Sequence, residues 1–154
     1  MTPFTAVTKD GFTISTDPAR LQREVIFRYL HDDSYWAAGI PEETVNKAID
    51  YSLCFGMYRG DEQVGFARVV TDRATFAYLA DVFILPPFRG KGLSKWMLDV
   101  IHAHPDLQQL RRWLLATKDA HGLYAGKGWA PLDETAISRF MQMHFKDVYR
   151  NSAR

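Results

Sequence analysis

Residues 79–98, LADVFILPPFRGKGLSKWML, decide how this chain is read. The apolar run at its start ends a longer one, TFAYLADVFIL (75–85), which is apolar on both faces. That is the pattern of a central strand covered on two sides. Arg-Gly-Lys-Gly (89–92) follows, and then Leu93, Met97, Val100 and Ile101 recur at helical spacing to near His104. A helix starting at Gly92 or Leu93 turns its unpaired N–H groups, and the positive end of its dipole, back into the loop. Gly90 and Gly92 let the backbone approach closely, and Arg89 and Lys91 add charge. This is the physics of a pyrophosphate site. It is not a Walker loop, because the Gly-Lys-Ser/Thr spacing is absent, and it is not a dinucleotide fingerprint, because its strand lies late in the chain. Taken alone, the corner reads first as a plain glycine turn, and its neighbours change that reading.

Upstream, FTIST (12–16) reads as a strand, and Asp17 with Pro18 starts a helix expected to run to about Leu30. HDDSYWAAG (31–39) is a loop, and a second helix begins at Pro41 with Glu42 and Glu43 in its first turn. LCFGMYR, Gly60-Asp61 and EQVGFARVV (62–70) form a hairpin. Downstream, RRWLLAT (111–117) is a buried strand, and DAHGLYAGKG (119–128) holds a short helix. Two last strands are expected at 130–132 and 139–143. The order predicts an α/β fold, a central mixed sheet flanked by helices, in a single domain of residues 1–154.

At 154 residues, 47% apolar and 24% charged, the chain has the balance of an ordinary globular protein. A net charge of +1 argues against a general nucleic-acid or membrane-surface binder. Any anion site is therefore local. The lone Cys54 allows no internal disulfide. With no signal-peptide pattern and no apolar stretch of spanning length, the expected compartment is the cytoplasm.

Together these residues resemble the Gcn5-related N-acetyltransferase (GNAT) family, whose Arg/Gln-x-x-Gly-x-Gly/Ala motif falls on Arg89, Gly92 and Ser94. Ser94 stands where the family has Gly or Ala. A second segment, LYAGKGW (123–129), resembles the family's Leu-Tyr-x-x-x-Gly-Phe, with Trp129 in place of Phe. The resemblance covers roughly residues 53–132. It implies acetyl-CoA as cosubstrate, held by Arg89, Gly90, Lys91, Gly92, Leu93, Ser94 and Lys95. The backbone of Val82, Phe83 and Ile84 would hold the pantetheine arm, with Thr117 at a position where many members have Asn. It also implies Tyr124 as the acid that protonates the departing thiolate; the other reading of Tyr124 is packing against Trp129.

Acyl transfer to an amine needs a neutral amine, a stabilised oxyanion and a thiolate able to leave. Asp81 is the one ionisable residue inside the long apolar strand. Burial among Leu79 and Phe83 is expected to raise its pKa toward useful values for a base. Alternatively it stays charged and anchors an acceptor ammonium, or is only an edge aspartate. Polyamine acetyltransferases carry an acidic pair in this strand, and Ala80 replaces its first member here. Tyr35 and Trp36 would floor the acceptor, with Asp32 and Asp33 attracting an amine, or the aromatics merely cover the core. His31 with Asp32 and Asp33 lacks a metal-ligand spacing, so no metal is expected. His102 and His104 are expected in solvent, and His121 ranks below Asp81 as a base. Cys54, with no adjacent cation or histidine in sequence, is not expected to carry an acyl group.

The leading expectation is an N-acetyltransferase acting on the primary amine of a small molecule, by direct transfer in a ternary complex. A non-catalytic acyl-CoA-binding module, or a protein or peptide N-acetyltransferase, is the alternative. No nucleic-acid or membrane partner is expected, and a homodimer is left open.

Overall fold

In the computed structural model, which describes residues 2–150, six strands form one sheet in chain order. β1 (Ala6–Lys9), β2 (Phe12–Ser15), β3 (Leu53–Arg59), β4 (Glu62–Thr71) and β5 (Phe76–Ile84) are successively antiparallel. β6 (Arg112–Leu115) lies parallel to β5. The helices are α1 (Arg23–Arg28), α2 (Glu42–Asp50), α3 (Leu93–His102), α4 (His121–Ala125) and α5 (Glu134–Arg139). The expected mixed sheet flanked by helices is present, with three differences in its elements.

β1 is an additional strand. Asp10 and Gly11 both have positive φ, 52° and 83°, so a two-residue primed turn folds β1 onto β2. The expected helix over 18–30 is instead three pieces. Asp17 caps a single 3₁₀ turn, Pro18–Arg20. The Gln22 N–H then donates to the side chain of fully buried Gln63 at 2.7 Å, and α1 starts afresh at Arg23. A wide π turn, Tyr29–Asp33, closes it.

The two last strands do not form. Residues 130–132 are irregular, and the expected strand at 139–143 is pre-empted at its start by α5. The Asp133 side chain accepts the Ala136 N–H at 2.8 Å, and Glu134 sits in the first turn. This local helix start outcompetes the strand pattern. Beyond α5 the chain runs irregularly, with Phe140 under the Arg112 guanidinium and Tyr149 against the α1–α2 side.

Apolar residues bury on both faces of the sheet. Leu53, Phe55, Met57, Val69 and Leu79 meet Leu93, Met97 and Ile101 of α3 on one face. Cys54, Phe66 and Phe83 meet Ile26, Val45 and Ile49 on the other. Strict alternation would place Phe83 on the same face as Leu79. It does not, because β5 changes phase at residues 81–82.

Candidate active site

The phase change is a β-bulge. Phe66 pairs with Phe83 and Arg68 with Ala80, so Ala67 on β4 opposes both Asp81 and Val82 on β5. Asp81 takes a left-handed φ of 53°, strained for a residue with a side chain. In phase, Asp81 would share the Leu79 face. The bulge turns its carboxylate instead toward Arg68, on the α1–α2 face.

Just before the bulge β5 leaves β6. Their pairing stops at Leu79 and Leu115, while β5 continues to Ile84. One long edge of β5 is therefore open. The Leu85 N–H bonds to Val64 O, so alternation spends the backbone groups of Phe83 on Phe66 and points those of Val82 and the Ile84 N–H into the gap, the Ile84 carbonyl being taken by Arg89. This corrects the expected trio: Phe83 contributes its ring, stacked on Tyr29 with centroids 4.0 Å apart, rather than open backbone.

The gap leads to the glycine corner. Gly90 and Gly92 have φ of 79° and 74°, and a Cβ on either would meet nothing within 4 Å. Gly92 caps α3 with no side-chain hydrogen bond, and the first bond into the helix is Trp96 N–H to Gly92 O. The amides of Leu93, Ser94 and Lys95 therefore open onto a cavity of about 190 Å³ whose lining includes Ile84, Ser94, Lys95 and Leu123. Lys91 and Lys95 are exposed there, and the Leu93 side chain is core. Arg89 departs from its expected role as loop charge. Its guanidinium turns inward, donating to Ile84 O at 2.8 Å and to the Tyr29 hydroxyl at 3.0 Å. A larger cavity, about 250 Å³, lies at the opposite end of the sheet beside Leu53, Arg73 and His104, and has none of this loop's open amides.

Asp81 is not the isolated buried carboxylate expected. Oδ2 accepts from Arg68 Nε at 2.8 Å and Oδ1 from Trp36 Nε1 at 2.7 Å. The second arm of Arg68 reaches Ser52 Oγ at 3.1 Å. Tyr35 stands edge-on to Trp36, and its hydroxyl accepts the Lys118 N–H just beyond β6. Both aromatics are half-exposed rather than core, 53% and 41% accessible. Asp32 is bonded to His31, and Asp33 is exposed. Among the described residues no group of three or more His, Cys, Asp or Glu could hold a metal, and no helix is long and apolar enough to cross a membrane.

From the β6 side comes Tyr124, on α4, with only 8% exposure. Burial, and secondarily the neighbouring Tyr35, push its pKa above the ordinary phenol value, so it keeps its proton. Trp129 meets its ring edge-to-face, and the Tyr124 hydroxyl makes no hydrogen bond among the described residues. The Thr117 hydroxyl is engaged locally, accepting the Ala120 N–H at 3.1 Å. His121 is exposed at the first position of α4. His102 and His104 are not in solvent as expected. His102 accepts from the Trp129 indole, His104 is 4% exposed, and burial lowers both pKa values. The Cys54 thiol is buried and pushed up to about 12 by desolvation. Three participants were not singled out from sequence: Arg68, Tyr29 and Lys118. Arg68 had a signal, as a lone cation inside an apolar strand.

Residues 50–131 match the family model for the acetyltransferase (GNAT) domain. The chain is 37% identical to "Putative acetyltransferase FG08082" of Gibberella zeae, over 76% of this chain and 77% of that one. A crystal structure from Xanthomonas campestris pv. campestris, of a protein assigned to the same family, shares 48% identity and a TM-score of 0.87. It covers 92% of this chain and 99% of its own. A GNAT acetyltransferase of Elizabethkingia anophelis with acetyl-CoA bound shares the fold at 14% identity and TM-score 0.59, over 81% and 80% of the two chains. A bulged β5 that leaves β6, open amides at the start of α3 and a buried tyrosine across the gap thus go with family-level similarity, and the chain belongs to the GNAT family of acetyltransferases.

Proposed function

We propose that this enzyme moves an acetyl group from acetyl-CoA to the primary amine of a small molecule, by direct transfer in a ternary complex. One observation carries the reading: the open edge of β5 past Leu79 runs straight to the unpaired amides of Leu93, Ser94 and Lys95. An extended, amide-bearing arm ending in a pyrophosphate matches both parts, the first as an added strand and the second as an anion on a helix N-terminus. Acetyl-CoA supplies the activated acyl thioester. Arg89 ties Ile84 O to Tyr29 and so holds the strand-to-loop corner in place.

The Val82 N–H faces the gap and is positioned to donate to the carbonyl oxygen as it gains charge. The amine nitrogen bonds to the acyl carbon, the carbon–sulfur bond breaks, and the sulfur takes the Tyr124 proton. The excess proton on nitrogen passes to solvent, or to Asp81 where the Arg68 and Trp36 bonds yield, and Tyr124 regains its proton from solvent. Cys54 is buried as the neutral thiol, which supports transfer without an acyl-enzyme. Residues 1–154 would act as one domain, in the reducing cytoplasm that suits a lone buried thiol.

The deciding experiment pairs CoA calorimetry with a thiol-release screen across polyamines, amino acids, aminoglycosides and peptides. Native protein should bind CoA and release thiol with one amine class. Gly92→Val, forced into a left-handed backbone, should lose most affinity while staying folded. Unchanged affinity in that variant would make the corner only a turn. Binding without thiol release from any amine would make the protein an acyl-CoA-binding module.

A further inference from the structure

Resting on the acetyl-transfer reading above, we infer that the acceptor is an amine that also carries a carboxylate, and that Arg68 reads the carboxylate. Asp81 is the only acid that the sheet places at the bulge, and its charge is already matched by Arg68 at 2.8 Å. Its other oxygen is held by Trp36. Asp81 can share a lone pair with an incoming ammonium, but the pair as a whole presents no net negative charge.

Arg68, by contrast, has capacity left. Nε is used on Asp81 and Nη1 on Ser52, while Nη2 has no hydrogen-bond partner among the described residues. The side chain keeps 19% of its surface exposed beside the bulge. A guanidinium with free N–H groups beside a carboxylate-bound ammonium is the complement of a zwitterion, since planar N–H pairs suit a carboxylate.

Charge nearby points the same way. Lys118 Nζ lies 5.4 Å above the Tyr35 ring and forms no ion pair among the described residues. Of the two acids before the Tyr35–Trp36 loop, Asp32 is turned onto His31 and Asp33 is exposed. The carboxylate at the bulge is thus already paired, while Arg68 keeps a donor free. A second ammonium finds no unpaired carboxylate at the bulge, where a carboxylate finds the spare Arg68 Nη2.

The test uses matched trios: an amino acid, its amide and its decarboxylated amine, built on alanine and on phenylalanine. Thiol release is measured with acetyl-CoA-saturated enzyme and compared per neutral amine. Binding to CoA-loaded enzyme is measured separately by ligand-observed NMR. The amino acid should exceed both relatives in kcat/KM by about tenfold or more, the scale of a lost partner for a buried polar group. Arg68→Met should erase that preference, with kcat/KM falling more for the amino acid than for its amide or amine, and Arg68→Lys should keep part of it. Equal or better use of the amide or amine overturns the inference. So does an equal loss for all three in Arg68→Met, or the absence of both binding and reaction for every amino acid. Carboxylate binding with no thiol release from any amine would count against acetyl transfer and leave the Arg68 site standing.

Discussion

The Tyr35 hydroxyl accepts the backbone N–H of Lys118 at 2.9 Å, across 83 residues of chain, while the adjacent Trp36 donates to Asp81. Residues 34–39 are thus tied to both sides of the gap, to β5 through the indole and to the end of β6 through the phenol. This strap bridges the place where two parallel strands part.

The indole bond ends on a carboxylate, and hydrogen bonds to charged groups contribute about 1.5–3 kcal/mol when shielded. Half-exposure of Trp36 discounts that figure. Trp36→Phe keeps an aromatic ring and removes the donor. Amide exchange over 34–39 should quicken by about tenfold, the equivalent of about 1.4 kcal/mol, with a higher KM for the acceptor. Native exchange rates in the variant would show that the strap is held without this bond.

Tyr124→Phe keeps the ring against Trp129 and deletes only the proton. Positioned proton transfer is worth about 10² to 10⁴ in rate. The chemical step, followed in single turnover, should slow on that scale, with CoA affinity and Tm little changed. Near-native speed would make Tyr124 a packing residue and leave thiolate departure to water or to the exposed His121.

Tyr58 is 2% exposed, and its hydroxyl is buried without a hydrogen-bond partner among the described residues. An unmet buried polar group costs about 1–3 kcal/mol, so Tyr58→Phe should raise the urea midpoint. The hydroxyl fills the space above Gly56, where a Cβ would lie 2.2 Å from it. Gly56→Ala should therefore destabilise by about 1–3 kcal/mol, the usual cost of overpacking. In the Tyr58→Phe background that cost should shrink. Equal costs in both backgrounds would mean that the ring, not the hydroxyl, sets the limit.

His102 and His104 both have pKa values lowered by burial from an ordinary 6.5. As pH falls from neutral, the unfolded chain binds protons before the folded one does. Their contribution is thus complete above pH 6.5 and is lost as pH drops from there toward the folded values. Urea midpoints should fall between pH 7.5 and 5.5. His102→Gln, which keeps an acceptor for Trp129, and His104→Asn, which keeps one for Asp106, should each flatten that slope. A slope unaltered by both changes would assign it to other groups.

Some of this was legible from local pattern. The corner at 89–95 could be read because its causes are local: two glycines tolerate left-handed φ, and a helix start exposes amides whatever surrounds it. The Gly60-Asp61 hairpin was readable for the same reason. The Asp10-Gly11 turn carried an equally local signal that composition around a short exposed strand obscured. At 139–143, alternation suggested a strand, but the helix start at Asp133 and Glu134 competed for the same residues and won.

The sequence by itself determined the strand-loop-helix corner, the tyrosine seven residues after Thr117 and the sheet that carries both, because periodicity and turn chemistry act over a few residues. Only the tertiary structure decided what the charges do. Arg89 is spent on Ile84 O and Tyr29, and Asp81 is matched to Arg68 on another strand and to Trp36 across 45 residues. The bulge decides this: one extra residue in β5 reverses which face each later side chain occupies. Composition cannot show that reversal, because it depends on how β5 registers against β4.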